Sequence, residues 1–200
     1  MHEVRNMRVC VLMGSPRPNG NTAELCKPFI HELELNQADV EYIHLHGKNI
    51  SPCLGCMYCQ DIADEYGCMQ HDDMQDIVKS ILWADILICA TPIYSWQATP
   101  PLKTVMDRMF GLNKFYGAAP RETISKTKAI GLIATCGYEP EYAADLLDEA
   151  IRRLCKHSDI PYAGMYAVRD GDEDNLEAFR TEDAVAGSKE FAQKILQNFA

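Results

Sequence analysis

Five times along this chain an apolar run of strand length passes through a loop into apolar residues spaced three and four apart, and that alternation restricts the fold more than any other feature. A strand that returns to its neighbour by way of a helix makes a parallel pair with a right-handed crossover. The pattern therefore calls for an α/β fold, a doubly wound five-stranded parallel sheet with helices on both faces. The strand runs are Arg8 to Met13, Val40 to Leu45, Ile86 to Ala90, Ala129 to Thr135 and Tyr162 to Val168. The second alternates in part, which suits a sheet edge, whereas Ile86-Leu-Ile-Cys-Ala90 is apolar throughout, as a central strand covered on both faces requires.

Helical spacing follows each run. Ala23, Cys26, Phe29, Ile30 and Leu33 share one face of a first helix, which Asn21 and Glu24 would open as a capping pair and Pro28 would bend. A second helix starts at Asp72 or Asp73 and carries Met74, Ile77, Val78, Ile81 and Leu82. Pro100 and Pro101 begin a third, with Leu102, Val105, Met106, Met109 and Phe110 inward. Ala143 to Leu154 and a segment bearing Phe191, Ile195 and Phe199 complete the set. Gly111 to Lys126 has no period and reads as a loop, long enough for a lid or an oligomer contact. Arg169 to Asn175 is an acidic loop without the ligand spacing of a calcium site. With no internal repeat or linker, residues 1–200 are expected to form a single domain.

Composition narrows the partners. A net charge of −10 without any Lys/Arg cluster argues against nucleic acid and anionic membranes. The longest apolar runs are too short to span a bilayer, and Met1 to Met7 lacks a signal-peptide pattern, so a cytoplasmic location is expected. Nine cysteines in such a chain read as thiols or metal ligands, not as a disulfide framework. Cys10 and Cys89, inside strand patterns, are small buried hydrophobes.

In a parallel sheet every strand-to-helix loop leaves at one edge, and ligands bind where strand order reverses. The first loop, Gly14-Ser-Pro-Arg-Pro-Asn-Gly-Asn-Thr22, runs straight into a helix start, whose unpaired N–H groups favour an anion. Ser15, Asn19, Asn21 and Thr22 add short donors and Arg17 a cation, a set that suits a terminal phosphate. The loop has neither the Walker nor the Gly-x-Gly-x-x-Gly pattern, and an ordinary strand-to-helix connection has a similar look. The loop after the third strand brings Pro92, Ile93, Tyr94, Ser95 and Trp96; that after the fourth brings Thr135, Cys136, Gly137 and Tyr138. Surface or dimer packing is the plain alternative for Tyr94 and Trp96, but a flat polar ring held between these loops, with its phosphate in the first, describes flavin mononucleotide (FMN).

These residues resemble a known family. The first loop, the Thr91-Pro-Ile-Tyr94 turn followed by Lys103 and Asp107-Arg108, and the Pro52-Cys-Leu-Gly-Cys56 loop are similar to those of the flavodoxin-like NADPH-dependent FMN reductases and the related iron-sulfur flavoproteins, over about Arg8 to Gly137. The resemblance implies strand order 2-1-3-4-5, FMN as cofactor, NAD(P)H as co-substrate, and a homodimer or homotetramer with the active site near the subunit boundary. It assigns the phosphate to Ser15, Arg17, Asn19, Asn21 and Thr22, and the isoalloxazine border to Pro92–Trp96 and Thr135–Tyr138. The activity expected is NAD(P)H oxidation with hydride transfer through flavin N5 to a small acceptor such as a quinone, free flavin, azo or nitro compound. No side-chain catalyst is needed. A flavodoxin-like or iron-sulfur electron carrier fed by a protein donor is the alternative.

Cys53-x-x-Cys56-x-x-Cys59 with Cys68 places four soft ligands within sixteen residues, dense enough for a 4Fe-4S cluster or tetrahedral zinc. The last gap is longer than in the iron-sulfur flavoproteins and no proline follows Cys68. Free thiols in a loop beside the flavin are the expected state, with a cluster or zinc as the alternatives. His44 and His46 point the same way on a strand and read as an exposed pair, with metal binding as the alternative.

Overall fold

The computed structural model describes residues 5–118, 122–170 and 176–199. In chain order its elements are β1 (Arg8–Met13), α1 (Asn21–Leu35), β2 (Asp39–His44), α2 (Met74–Trp83), β3 (Ile86–Pro92), α3 (Pro100–Arg108), β4 (Asn113–Lys114), β5 (Glu122–Thr123), β6 (Ala129–Cys136), α4 (Pro140–Ala143), α5 (Asp145–Ser158), β7 (Tyr162–Arg169) and α6 (Glu182–Phe199). Five strands form one parallel sheet in the order β2-β1-β3-β6-β7. Numbered among themselves, those strands run 2-1-3-4-5, the flavodoxin-like order, and β2 lies at the edge as its partial alternation implies.

The strands' two faces bury two separate cores. Cys10, Leu12, Leu87, Cys89 and Leu132 pack against α2, α3 and α5 through Ile77, Leu102, Val105 and Ile151. Val11, Met13, Ile88, Ala90 and Ile133 meet α1 and α6 through Phe29, Leu33, Phe191 and Ile195. Each Val, Leu, Ile, Met or Phe among them contributes roughly 1.5–3 kcal/mol by leaving water. Because β1, β3 and β6 are covered on both sides, their C-terminal ends are fixed in register. Val9 sits opposite both Val40 and Ile86, and Pro92 opposite Thr135.

Several local expectations change. The Asn21–Glu24 capping pair does not form. Gly20 precedes α1 in an extended conformation without a side-chain cap, and the Glu24 carboxylate accepts from Lys27 Nζ at 2.5 Å and Arg180 Nε at 3.0 Å instead. Two cations outbid one backbone N–H for the carboxylate. Pro28, as the sequence implied, does not break the helix. Next, α2 begins at Met74, where the Asp72 carboxylate accepts the Met74 N–H at 3.1 Å.

Gly111 to Lys126 is not a featureless loop: a 3₁₀ turn over Met109–Leu112 leads into β4, which pairs antiparallel with β5. This hairpin is anchored by polar side chains, which leave no hydrophobic period to read. Asn113 Nδ2 donates to Ser158 Oγ at 2.9 Å, and Lys114 is wholly buried. Residues 119–121 of this segment, residues 171–175 of the acidic loop and residues 1–4 of the N-terminus lie outside the described residues.

Candidate active site

The loops after β1, β3 and β6 meet at the C-terminal edge of the sheet and are bonded to one another. Gly14 N–H donates to Ala90 O at 2.8 Å, and Thr99 Oγ1 donates to Gly14 O at 2.7 Å. A Cβ on Gly14 would stand 2.6 Å from Thr99 Oγ1 and 2.9 Å from Leu102 Cβ, so the approach of the first loop to α3 requires glycine. Ile93 N–H donates to Thr135 O at 2.8 Å, which ties the second loop to the third. Thr22 and Thr135 share a buried hydroxyl–hydroxyl bond of 2.8 Å, which ties the third to the first.

Within the first loop, Ser15, Asn21 and Thr22 are buried while Arg17 and Asn19 are exposed. Ser15 Oγ accepts the Arg17 N–H at 3.2 Å, and the Gly20 N–H closes a turn on Arg17 O at 3.1 Å. His44 is not one of an exposed pair. Its Nε2 lies 2.7 Å from Ser15 O, and since a carbonyl only accepts, Nε2 carries the proton and His44 braces the loop from β2. His46 is exposed, its ring 6.2 Å from that of His44.

In the second loop Tyr94 and Gln97 exchange backbone bonds of 2.9 and 3.0 Å around a tight turn. Ser95 and Trp96, at its centre, both have positive φ (49° and 61°). Two successive non-glycine residues in the left-handed region store strain of order 1–3 kcal/mol each, a feature that concentrates at ligand clamps. Ile93, Ser95 and Trp96 face Cys136, Gly137 and Tyr138 across an open cleft of about 210 Å³, floored by Ala143 of α4. Pro92, Tyr94 and Thr135 belong to the same loops without lining the cleft.

Gly137 is not demanded by the protein's own packing, since a Cβ there would meet nothing closer than Asp170 Oδ1 at 3.6 Å. Burial pushes the Cys136 thiol up to about 11, with Asp170 and Glu139 adding to the effect, so it is protonated at neutral pH and lines the cleft as a small neutral group. Tyr142, which sequence spacing does not single out, meets Trp96 and Tyr138 edge-on at 5.8 and 6.0 Å and joins them into one aromatic wall.

A second cavity lies at the far end of α3. Cys53, Cys56, Cys59 and Cys68 all line it, together with Tyr66 and Arg108. None of the four is in a disulfide; Cys53 and Cys56 are exposed and the other two half-buried, and burial pushes the Cys59 thiol up. Among the described residues no three His, Cys, Asp or Glu side chains stand close enough together to hold a metal ion. Arg108 clasps both ends of the cysteine loop. Nη1 donates to Ser51 O at 3.1 Å and to Asp72 Oδ2 at 2.5 Å, and Nη2 to Cys68 Sγ at 3.5 Å. Burial disfavours the charge on both partners, yet their contact wins: the Asp72 carboxyl is held below its ordinary value and the Arg108 guanidinium above. Lys114 Nζ donates to Cys59 O at 2.8 Å and Tyr66 O at 3.3 Å. Gln60, fully buried, accepts the N–H groups of Phe115 and Tyr116. Since α3 starts beside Gly14 and ends at Arg108, its nine residues separate the two sites by about 14 Å along the axis.

The sequence model of the NADPH-dependent FMN reductases matches residues 7–151. The chain belongs to this family. Among its relatives, an iron-sulfur flavoprotein of Archaeoglobus fulgidus is 30% identical over 146 residues, covering 73% of this chain and 63% of that protein. One of Methanocaldococcus jannaschii is 32% identical over 133 residues, 66% of each. A second protein of that organism matches at 38% over 102 residues, half its length, so the chain spans between about half and two thirds of these curated relatives. In three dimensions the NAD(P)H:quinone oxidoreductase of Methanothermobacter marburgensis superposes with a TM-score of 0.71 over 98% of this chain and 100% of that one. At 18% identity, that likeness reports the FMN reductase fold and no more.

Proposed function

We propose that this chain binds FMN at the three-loop edge and is an NAD(P)H-dependent oxidoreductase for a small electron acceptor. The observation that carries the reading is the closed set of bonds Gly14–Thr99, Ile93–Thr135 and Thr22–Thr135, which gathers a phosphate-type helix start and an aromatic cleft into one rigid edge. The residues present fit the cofactor. Buried Ser15, Asn21 and Thr22 with Arg17, Asn19 and the first N–H groups of α1 supply donors for a dianionic phosphate. Ile93, Ser95, Trp96, Cys136, Gly137 and Tyr138 would border the ring in the cleft, with Pro92, Tyr94 and Thr135 holding the loops that carry them, and Gly137 leaves its side of the cleft open. When bound, FMN supplies hydride acceptance and delivery.

The chain's own contribution is position. His44 and Thr99 hold the first loop's carbonyls, the strained turn at Ser95 and Trp96 lines the cleft, and Cys136 stays neutral instead of placing an anion beside the ring. Trp96, Tyr138 and Tyr142 offer flat faces to a planar acceptor, and relatives of this fold with names such as quinone reductase and azoreductase support acceptors of that class. In steady-state assays the FMN-loaded chain will oxidise NADH or NADPH with a quinone or free flavin; absence of turnover with both nucleotides would leave only the electron-carrier reading.

A second cofactor has its own support. Four cysteines on one cavity, in a chain whose relatives include iron-sulfur flavoproteins, fit thiolate ligation by Cys53, Cys56, Cys59 and Cys68. A 4Fe-4S cluster held there would supply one-electron storage. Anaerobically purified protein will then contain about four iron and four sulfide per chain; flavin without iron would overturn this part of the reading.

A further inference from the structure

The cysteine cavity is bordered by more hydrogen-bonding capacity than the protein uses. Arg108 has only 1% of its side chain exposed, and although both Nη atoms are bonded, Nε has no acceptor. Tyr66 is 5% exposed and lines the same cavity, and its hydroxyl stands beside Arg108 and Cys68 without a well-formed hydrogen bond to either. A buried donor left unbonded costs roughly 1–3 kcal/mol. Two of them beside one cavity call for an occupant rich in acceptor atoms.

Charge leads to the same place. Asp72 balances Arg108, but the ammonium of wholly buried Lys114 meets two carbonyl oxygens, and among the described residues no carboxylate lies within ion-pair distance of it. A buried cation without an ion pair is costly; Glu65 acts on it from beyond ion-pair distance, and thiolates ligating a metal at the cavity would add negative charge beside it.

We propose that Arg108, Tyr66 and Lys114 form an electropositive seat that sets the reduction potential of the metal–sulfur group held by Cys53, Cys56, Cys59 and Cys68. This rests on the cluster reading above. The arginine Nε–H and the tyrosine O–H are donors for sulfur, and the lysine and arginine charges favour the more negative, reduced form; net charge and hydrogen bonds to sulfur are the terms by which a protein adjusts such potentials. Reduction adds one electron and one negative charge, breaks no bond and needs no proton, a low-potential reductant being the donor. The three residues are tuning groups and not ligands.

The experiment is a redox titration with dithionite, followed by electron paramagnetic resonance, on the full chain with its flavin, purified anaerobically. Iron and sulfide are counted first. Y66F will keep the wild-type iron and sulfide content but be harder to reduce. At the potential where the wild type is half-reduced, its ratio of reduced to oxidised centre will fall about tenfold, equivalent to about 59 mV for one electron. K114M will shift in the same direction, and gives an independent reading because it leaves the Tyr66 ring and its hydroxyl in place. Iron-loaded Y66F and K114M with the wild-type potential would overturn this inference alone, whereas a wild type carrying flavin but neither iron nor sulfide would overturn it together with the cluster reading.

Discussion

Thr22 and Thr135 stand 113 residues apart in the chain and 2.8 Å apart in space, and the buried bond between their hydroxyls is where the helix start of the first loop is locked to the end of β6. Replacing one leaves the other buried without its partner. T135V is expected to lose about 1–3 kcal/mol in urea unfolding and to weaken FMN binding at least several-fold in a fluorescence titration. The place of Ser15, Arg17, Asn19, Asn21 and Thr22 between a strand and a helix start was legible in sequence because an apolar run ends just before them and a helical period follows. What braces them was not. Thr99 and His44 act on backbone carbonyls of distant residues, and no spacing rule connects Thr99 to Gly14 or His44 to Ser15. Tyr142 escaped for a related reason, as it sits one position outside the apolar period that begins at Ala143.

Among the elements, the strands and long helices were legible to within a few residues because their apolar periods report directly which face is buried. The hairpin of β4 and β5 was missed because its anchors are Asn113 and Lys114, polar residues whose burial follows from specific partners on α5 and the cysteine loop. The capping pair expected at Asn21 and Glu24 failed because Glu24 has stronger partners in Lys27 on α1 itself and in Arg180 just before α6. The Tyr94–Gln97 turn carries a testable cost. S95G removes the side chain from a left-handed position, and thermal unfolding should move upward by the equivalent of about 1 kcal/mol, the smaller end of the strain being offset in part by glycine's extra freedom when unfolded. An unchanged or lower melting temperature would show that the turn is not strained.

At the level of the molecule, the doubly wound order was legible because strand-helix alternation leaves few topologies, and the sheet in turn brings the three loops to one edge without any loop-specific information. The pairing of α1 with α6 is steadied by Glu24, whose carboxyl is held below its ordinary value of 4.5 first by Arg180 and then by Lys27. A carboxyl lowered in the folded state stabilises fully above its unfolded value and loses that contribution as pH falls through the folded one. E24Q should therefore be less stable than wild type by about 0.5–1 kcal/mol near pH 7, its cations being half-exposed, and the two proteins should converge below pH 4.5. A difference that persists in acid would assign the effect to packing instead. The most direct test of the three-loop site is a titration of apoprotein with FMN and, separately, with riboflavin, which lacks the phosphate. Saturable binding of one FMN per chain, with riboflavin at least tenfold weaker, is the expected result; no binding, or equal affinity for both, would contradict a phosphate held between Ser15 and Thr22.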